Sequence, residues 1–218
     1  MESRLITTGL IIVLIVGLIL TFINPIQSFL IKRTSEQGLD VSAEEIIQNE
    51  NKDAVFDFTA VQSLTVSDVL KAQSEAKNAA VVGSIAIPSI DLQLPISKGV
   101  DETALLIGAG TMNPDQQLGQ GNYALASHYI ENKHDILFGP LYNAQIGDMI
   151  YVTDKQQVYV YEISKIDVIK ATDVHVIDDV ANETLLTLIT CAEKGVKRLA
   201  VTATFVEQKS FDELKAIF

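Results

Sequence analysis

The chain has 218 residues, room for one domain of about 130–150 residues with a buried core plus flanking segments. Its 16 Lys and Arg against 28 Asp and Glu give a formal net charge of −12 without a basic stripe, which repels phosphates and argues against a nucleic acid or other polyanionic partner. A single cysteine excludes an intramolecular disulfide and leaves any thiol chemistry to one side chain.

From residue 5 to 23 the sequence carries no charge, and the uncharged stretch continues to residue 31, just before Lys32-Arg33. As a helix this run is long enough to span about 30 Å of hydrocarbon, so residues 1–31 read as a membrane anchor. Asn24-Pro25-Ile26-Gln27-Ser28-Phe29 after the apolar core makes a poor signal-peptidase site, which favours retention over cleavage. Residues 32–78 turn polar and acidic and read as a stalk. Within it Ser42-Ala-Glu-Glu45 has the form of a helix N-cap, and 67–77 could form a second short helix.

The folded domain is expected over 79–218. Residues 81–88 and 91–97 are short strand-like runs punctuated by Gly and Pro, together a hairpin. Residues 103–109 give a helical turn or two, and 113–121 a loop with turn chemistry. A strand over 122–128 delivers His128 at its far end. A short helical connection over 135–143 precedes two strands, 148–153 and 157–170, and two more over 184–191 and 197–208 complete the set. Seven or eight strands without the βα alternation of a doubly wound sheet indicate an all-β, closed barrel.

The chemistry-bearing stretch is Thr187-Leu188-Ile189-Thr190-Cys191, with Arg198 seven positions on and Ala126-Ser127-His128 about sixty residues upstream. An isolated cysteine in a β-branched run is ordinarily core filling. A thiol with a histidine and an arginine within reach is instead a nucleophile with its proton carrier and oxyanion partner. This combination, over roughly residues 80–207, resembles the class A sortases. The resemblance implies an eight-stranded barrel and a membrane-anchored cysteine transpeptidase of the housekeeping type, single-pass, with its N-terminus cytoplasmic and its catalytic domain extracytoplasmic. Positive charge on both sides of the apolar run leaves that orientation to the resemblance.

The resemblance further implies cleavage of a Leu-Pro-X-Thr-Gly signal between Thr and Gly, through a thioester on Cys191 that a peptidoglycan-precursor amine releases. The partners would be surface proteins bearing that signal and the lipid-linked precursor. His128 would act as general acid beside the Cys191 thiolate, and Arg198 would face the tetrahedral oxyanion or the substrate backbone. Residues 172–179 resemble the family's recognition loop, so Val174, Val176 and Ile177, with Ser127, Ile189 and Thr190, are the expected substrate-binding residues; aliphatic side chains such as these also serve simply as core. His134 and His175 follow no motif position and read as surface residues.

No cofactor or metal is expected. The loop upstream of the His128 strand offers only Asp115 among the amides Asn113, Gln116, Gln117 and Gln120, opposite Asp178 and Asp179, too few carboxylates for tight calcium binding. Two other readings stay open at this point. A papain-like protease places its Cys before its His, the reverse of the order here. A non-enzymatic surface-anchored β-domain would explain the anchor and the acidity without needing Cys191, His128 or Arg198.

Overall fold

The computed structural model describes residues 2–57, 66–131 and 133–218. Eight strands close into a barrel: β1 (Val81–Ile87), β2 (Leu92–Ser97), β3 (Ala109–Thr111), β4 (Asn122–Ala126), β5 (Met149–Thr153), β6 (Gln157–Lys170), β7 (Leu185–Ala192) and β8 (Lys197–Ser210), in the order β1-β2-β3-β4-β7-β8-β6-β5. The β2/β3 and β4/β7 pairs are parallel, and the remaining pairs are antiparallel. The strand expected to reach His128 ends two residues earlier, at Ala126.

Alternation in the strands decides which side each residue takes. Tyr123 and Leu125 of β4, Leu186 and Leu188 of β7, and Leu199, Val201 and Ala203 of β8 point into the barrel and join Ile85, Ile96, Val152, Tyr161 and Ile163 in the main core. The alternate residues Ala124, Ile189 and Ala200 form a second cluster outside the barrel wall, with Val100, Leu105 and Met112. Leu105 comes from helix α4 (Glu102–Ile107), which Asp101 caps by accepting the Ala104 N–H at 2.9 Å.

The N-terminal third differs from a polar stalk. Helix α1 (Glu2–Leu39), helix α2 (Ala43–Asn49) and helix α3 (Val66–Glu75) precede the barrel, and each buries at least one apolar residue, Ile31, Ile46 and Ala72 respectively. Ile31 is 2% exposed and Ile46 1%. Asn49 Nδ2 donates to the Val81 carbonyl at 2.8 Å, Lys155 Nζ to that of Leu39 at 2.6 Å, and Lys32 pairs with Asp135 at 2.6 Å. Ser42 forms the expected capping box with Glu45. In α2 the few apolar residues sit among polar neighbours in sequence, yet the 3.6-residue repeat puts Ile46 on the buried side. Part of the expected stalk, 58–65, lies outside the described residues.

Among the described residues no helix is long and apolar enough to cross a membrane. The side chains at 1–6, 15–16 and 18–24, which include most of the expected anchor's core, lie outside that description.

Candidate active site

The site is built on the outer face of the β4-β7-β8 wall. Ala126 pairs with Ile189, and the parallel ladder is continued by the Ser127 N–H donating to the Ile189 carbonyl at 3.2 Å and by Thr190 Oγ1 donating to the Ser127 carbonyl at 2.8 Å. His128 and Cys191 each lie two residues beyond the Ala126–Ile189 pair, so they emerge side by side on the face that carries Ala124, Ala126 and Ile189.

On the other flank, Cys191 stands directly opposite Arg198 in the antiparallel β7/β8 ladder. Side chains of such a pair leave the sheet on the same face, with Cβ atoms about 4.5–5.5 Å apart. Lys197 takes the other side and pairs with Glu193 at 2.8 Å. The tight connection Glu193–Gly195 holds Gly195 at φ 87°, a left-handed conformation suited to glycine. Arg198 Nη1 donates to the carbonyls of Gly195 at 2.8 Å and Lys197 at 2.9 Å, which ties the guanidinium to its own turn.

His128 is 5% exposed, and its Nε2 lies 3.2 Å from Glu102 Oε1 on α4. That approach falls outside hydrogen-bond geometry, so Nε2 is a buried nitrogen without a directed partner but with a carboxylate beside it. Cys191 is a free, half-buried thiol. Its carbonyl accepts from the Tyr142 hydroxyl at 3.0 Å, and Tyr142 packs on Tyr129 with ring centroids 4.8 Å apart.

These residues open into a cavity of about 490 Å³, a volume suited to several residues of an extended peptide. Its wall includes all nine residues singled out from the sequence: Cys191, His128, Arg198, Ser127, Val174, Val176, Ile177, Ile189 and Thr190. They do not all present their side chains alike. Ser127 Oγ donates to the buried Gly108 carbonyl and Thr190 Oγ1 to Ser127, so both hydroxyls serve the protein backbone. Val176, Ile177 and Ile169 pack on the second apolar cluster as the groove floor, whereas Val174 is 69% exposed at the rim. His134 and His175 are exposed. Glu102, Leu105, Met112 and Tyr142 were not anticipated; each comes from a helix, strand end or turn that only the closed barrel brings near Cys191.

The loop from Lys170 to Leu185 lines the groove and is tied to β4 by Asn122. Asn122 Nδ2 donates to the carbonyls of Val176 at 3.1 Å and Asp178 at 3.2 Å, its N–H donates to Asp179 Oδ1 at 2.7 Å, and its Oδ1 accepts from Thr187 at 2.8 Å. A Cβ at Gly121 would run into the Asp179 carboxylate, so glycine is needed for this approach. Gln116 bonds to Asn113 and Ala124, binding the upstream loop to β4 through amides. Among the described residues no group of three or more His, Cys, Asp or Glu is arranged to hold a metal ion.

The sortase domain family matches residues 85–206. Sortase A of Streptococcus agalactiae is 38% identical over 208 residues, 92% of this chain and 84% of that protein. Sortase A of Listeria monocytogenes is 42% identical over 183 residues, 83% of this chain and 82% of that protein. The crystal structure of Listeria monocytogenes sortase A superposes with a TM-score of 0.57 at 39% identity, covering 60% of this chain and 90% of the other.

Proposed function

Because the chain belongs to the sortase family, as a class A sortase and cysteine transpeptidase, we propose that it joins surface proteins to the cell wall by cutting a Leu-Pro-X-Thr-Gly signal between Thr and Gly. The observation that carries this reading is the convergence of Cys191, His128 and Arg198 at the end of one apolar groove.

The Leu and Pro of the signal lie on the apolar floor formed by Ile189, Val176 and Ile177, which presents the Thr carbonyl to Cys191. The Cys191 thiolate attacks the carbonyl carbon, and the oxyanion that forms faces the Arg198 guanidinium, a cation that does not deprotonate. Collapse of the tetrahedral species breaks the Thr–Gly C–N bond while His128 transfers its proton to the departing glycine amine. The Thr acyl group is then held as a thioester on sulfur. A peptidoglycan-precursor amine, lipid-linked, attacks the thioester; the neutral imidazole takes the amine's proton, the thiolate leaves, and the new amide is released with the enzyme returned to its starting state.

Incubating the chain with a Leu-Pro-X-Thr-Gly peptide and a glycine-type amine tests this reading. It expects a product joining the Thr to the amine, and Cys191→Ala should form none. Failure with several acceptors and signal variants would favour a binding domain instead.

We also propose that residues 1–31 anchor the chain in the membrane with the barrel on the extracytoplasmic side. The uncharged run supports this, as does the exposure of Leu10, Ile11, Ile12, Val13 and Leu14, apolar surface that a bilayer would cover. Alkaline carbonate extraction of membranes checks it: an anchored chain stays in the pellet, and release into the supernatant would contradict the proposal.

A further inference from the structure

We propose that Glu102 is a positioning residue for His128, holding the buried imidazole in the orientation that its role as general acid needs. This rests on the reading of His128 as the proton donor to the leaving amine.

A protonated imidazole shut away from water is disfavoured unless a negative charge stands near it. His128 is 5% exposed, and its Nε2 is closed off from solvent without a directed hydrogen bond. Glu102 Oε1 stands 3.2 Å from that nitrogen, in ion-pair contact. The other charged or titratable groups near the ring come from separate elements. Cys191 on β7, Arg198 on β8, and Lys170 and Asp173 at the end of β6 share its cavity. Asp101 precedes α4 and is engaged by the Ala104 N–H. Tyr142 is engaged with the Cys191 carbonyl. Arg198 and Lys170 oppose a positive charge on the ring, and Glu102 is the acid in direct contact with it.

The placement of Glu102 follows from α4. Asp101 caps this short helix, so Glu102 is not needed for the cap and falls in the first turn. Leu105, one turn on, is buried in the cluster beneath the groove. A residue three positions before a buried anchor lies on the same side of the helix, which turns Glu102 toward the active-site end of the barrel. The Glu102 side chain is 39% exposed, so solvent screens part of its charge and a moderate effect is expected.

The test measures kcat and KM of the full chain for the sorting peptide from about pH 5 to 10, for the parent, Glu102→Gln and Glu102→Asp. Loss of the Glu102 contact in Glu102→Gln should lower kcat about tenfold while KM stays within about twofold. Glu102→Asp should recover part of the loss, and equal melting temperatures would show that the fold is kept. A Glu102→Gln profile that superposes on the parent's would overturn the proposal.

Turnover by the parent in the same series keeps the function reading separate from this one. If the parent forms no product, the His128 ring protons followed by NMR decide instead: their resonances should move in Glu102→Gln as the ring loses its 3.2 Å contact. Unchanged resonances would overturn the role of Glu102 whatever the reaction.

Discussion

The backbone N–H of Asn122 donates to Asp179 Oδ1 at 2.7 Å, while the same residue's side chain holds the Val176 and Asp178 carbonyls. One residue at the start of β4 thus fixes the loop whose Val176 and Ile177 form the groove floor. Asn122→Ala removes two donors to the loop and leaves the buried Thr187 hydroxyl without its acceptor. We expect KM for the sorting peptide to rise about tenfold with kcat changed less than about threefold, the pattern of lost binding rather than lost chemistry. Equal effects on both constants would place Asn122 outside this role. Since the loop is held by an amide, chelator should leave the rate unchanged, and a rise of about fivefold in millimolar calcium would show that a cation orders it.

Arg198 holds two carbonyls of its own turn through Nη1 while lining the groove. A lysine ammonium is a point charge and cannot keep both geometries at once. Arg198→Lys should therefore lose about 10²-fold in kcat, nearly as much as Arg198→Ala. Retention of more than about a tenth of the parent rate by either variant would remove Arg198 from the reaction.

Burial pushes the Tyr161 phenol up to about 12, and burial pushes that of Tyr123 up further. A phenol raised in the folded state leaves stability unaffected below its unfolded value near 10 and lowers it as pH climbs from there toward the folded value. Each such group removes roughly 1.4 kcal/mol per pH unit in that window. Denaturant unfolding at stepped alkaline pH should show a loss that Tyr161→Phe about halves. A slope unchanged in that variant would mean that Tyr161 ionises without unfolding.

The packing of the N-terminal helices on the barrel makes a stability claim as well. Ile46 is 1% exposed although it lies in the segment that composition marks as a stalk. Ile46→Ala should lower unfolding free energy by about 2–4 kcal/mol, measured in denaturant, as for other core truncations. A change below about 0.5 kcal/mol would mean that α2 stands free in solution.

The barrel was legible because period-two alternation is a local property, and Leu186, Leu188, Leu199 and Val201 announce the buried face directly. The Thr-Leu-Ile-Thr-Cys run and its spacing to Arg198 were legible for the same reason, since adjacent antiparallel strands bring such residues opposite each other. The placement of Glu102 was not, because its neighbour His128 lies 26 positions away and depends on how α4 seats against the wall. Asn122 looked like an ordinary first residue of a strand; its hydrogen bonds reach residues more than fifty positions ahead. Docking of α1–α3 was hidden because Ile31 and Ala72 are widely spaced in sequence and join one core only in the folded protein, where Ile46 is buried as well.

Intact mass measurement of the enzyme mixed with a Leu-Pro-X-Thr-Gly peptide, before and after addition of an amine, addresses the proposed reaction most directly. The expected result is a gain in mass equal to the peptide up to and including Thr. It should map to Cys191, disappear when the amine is added, and be absent in Cys191→Ala. A folded parent enzyme whose Cys191 stays unmodified, or an adduct that persists in Cys191→Ala, would contradict it.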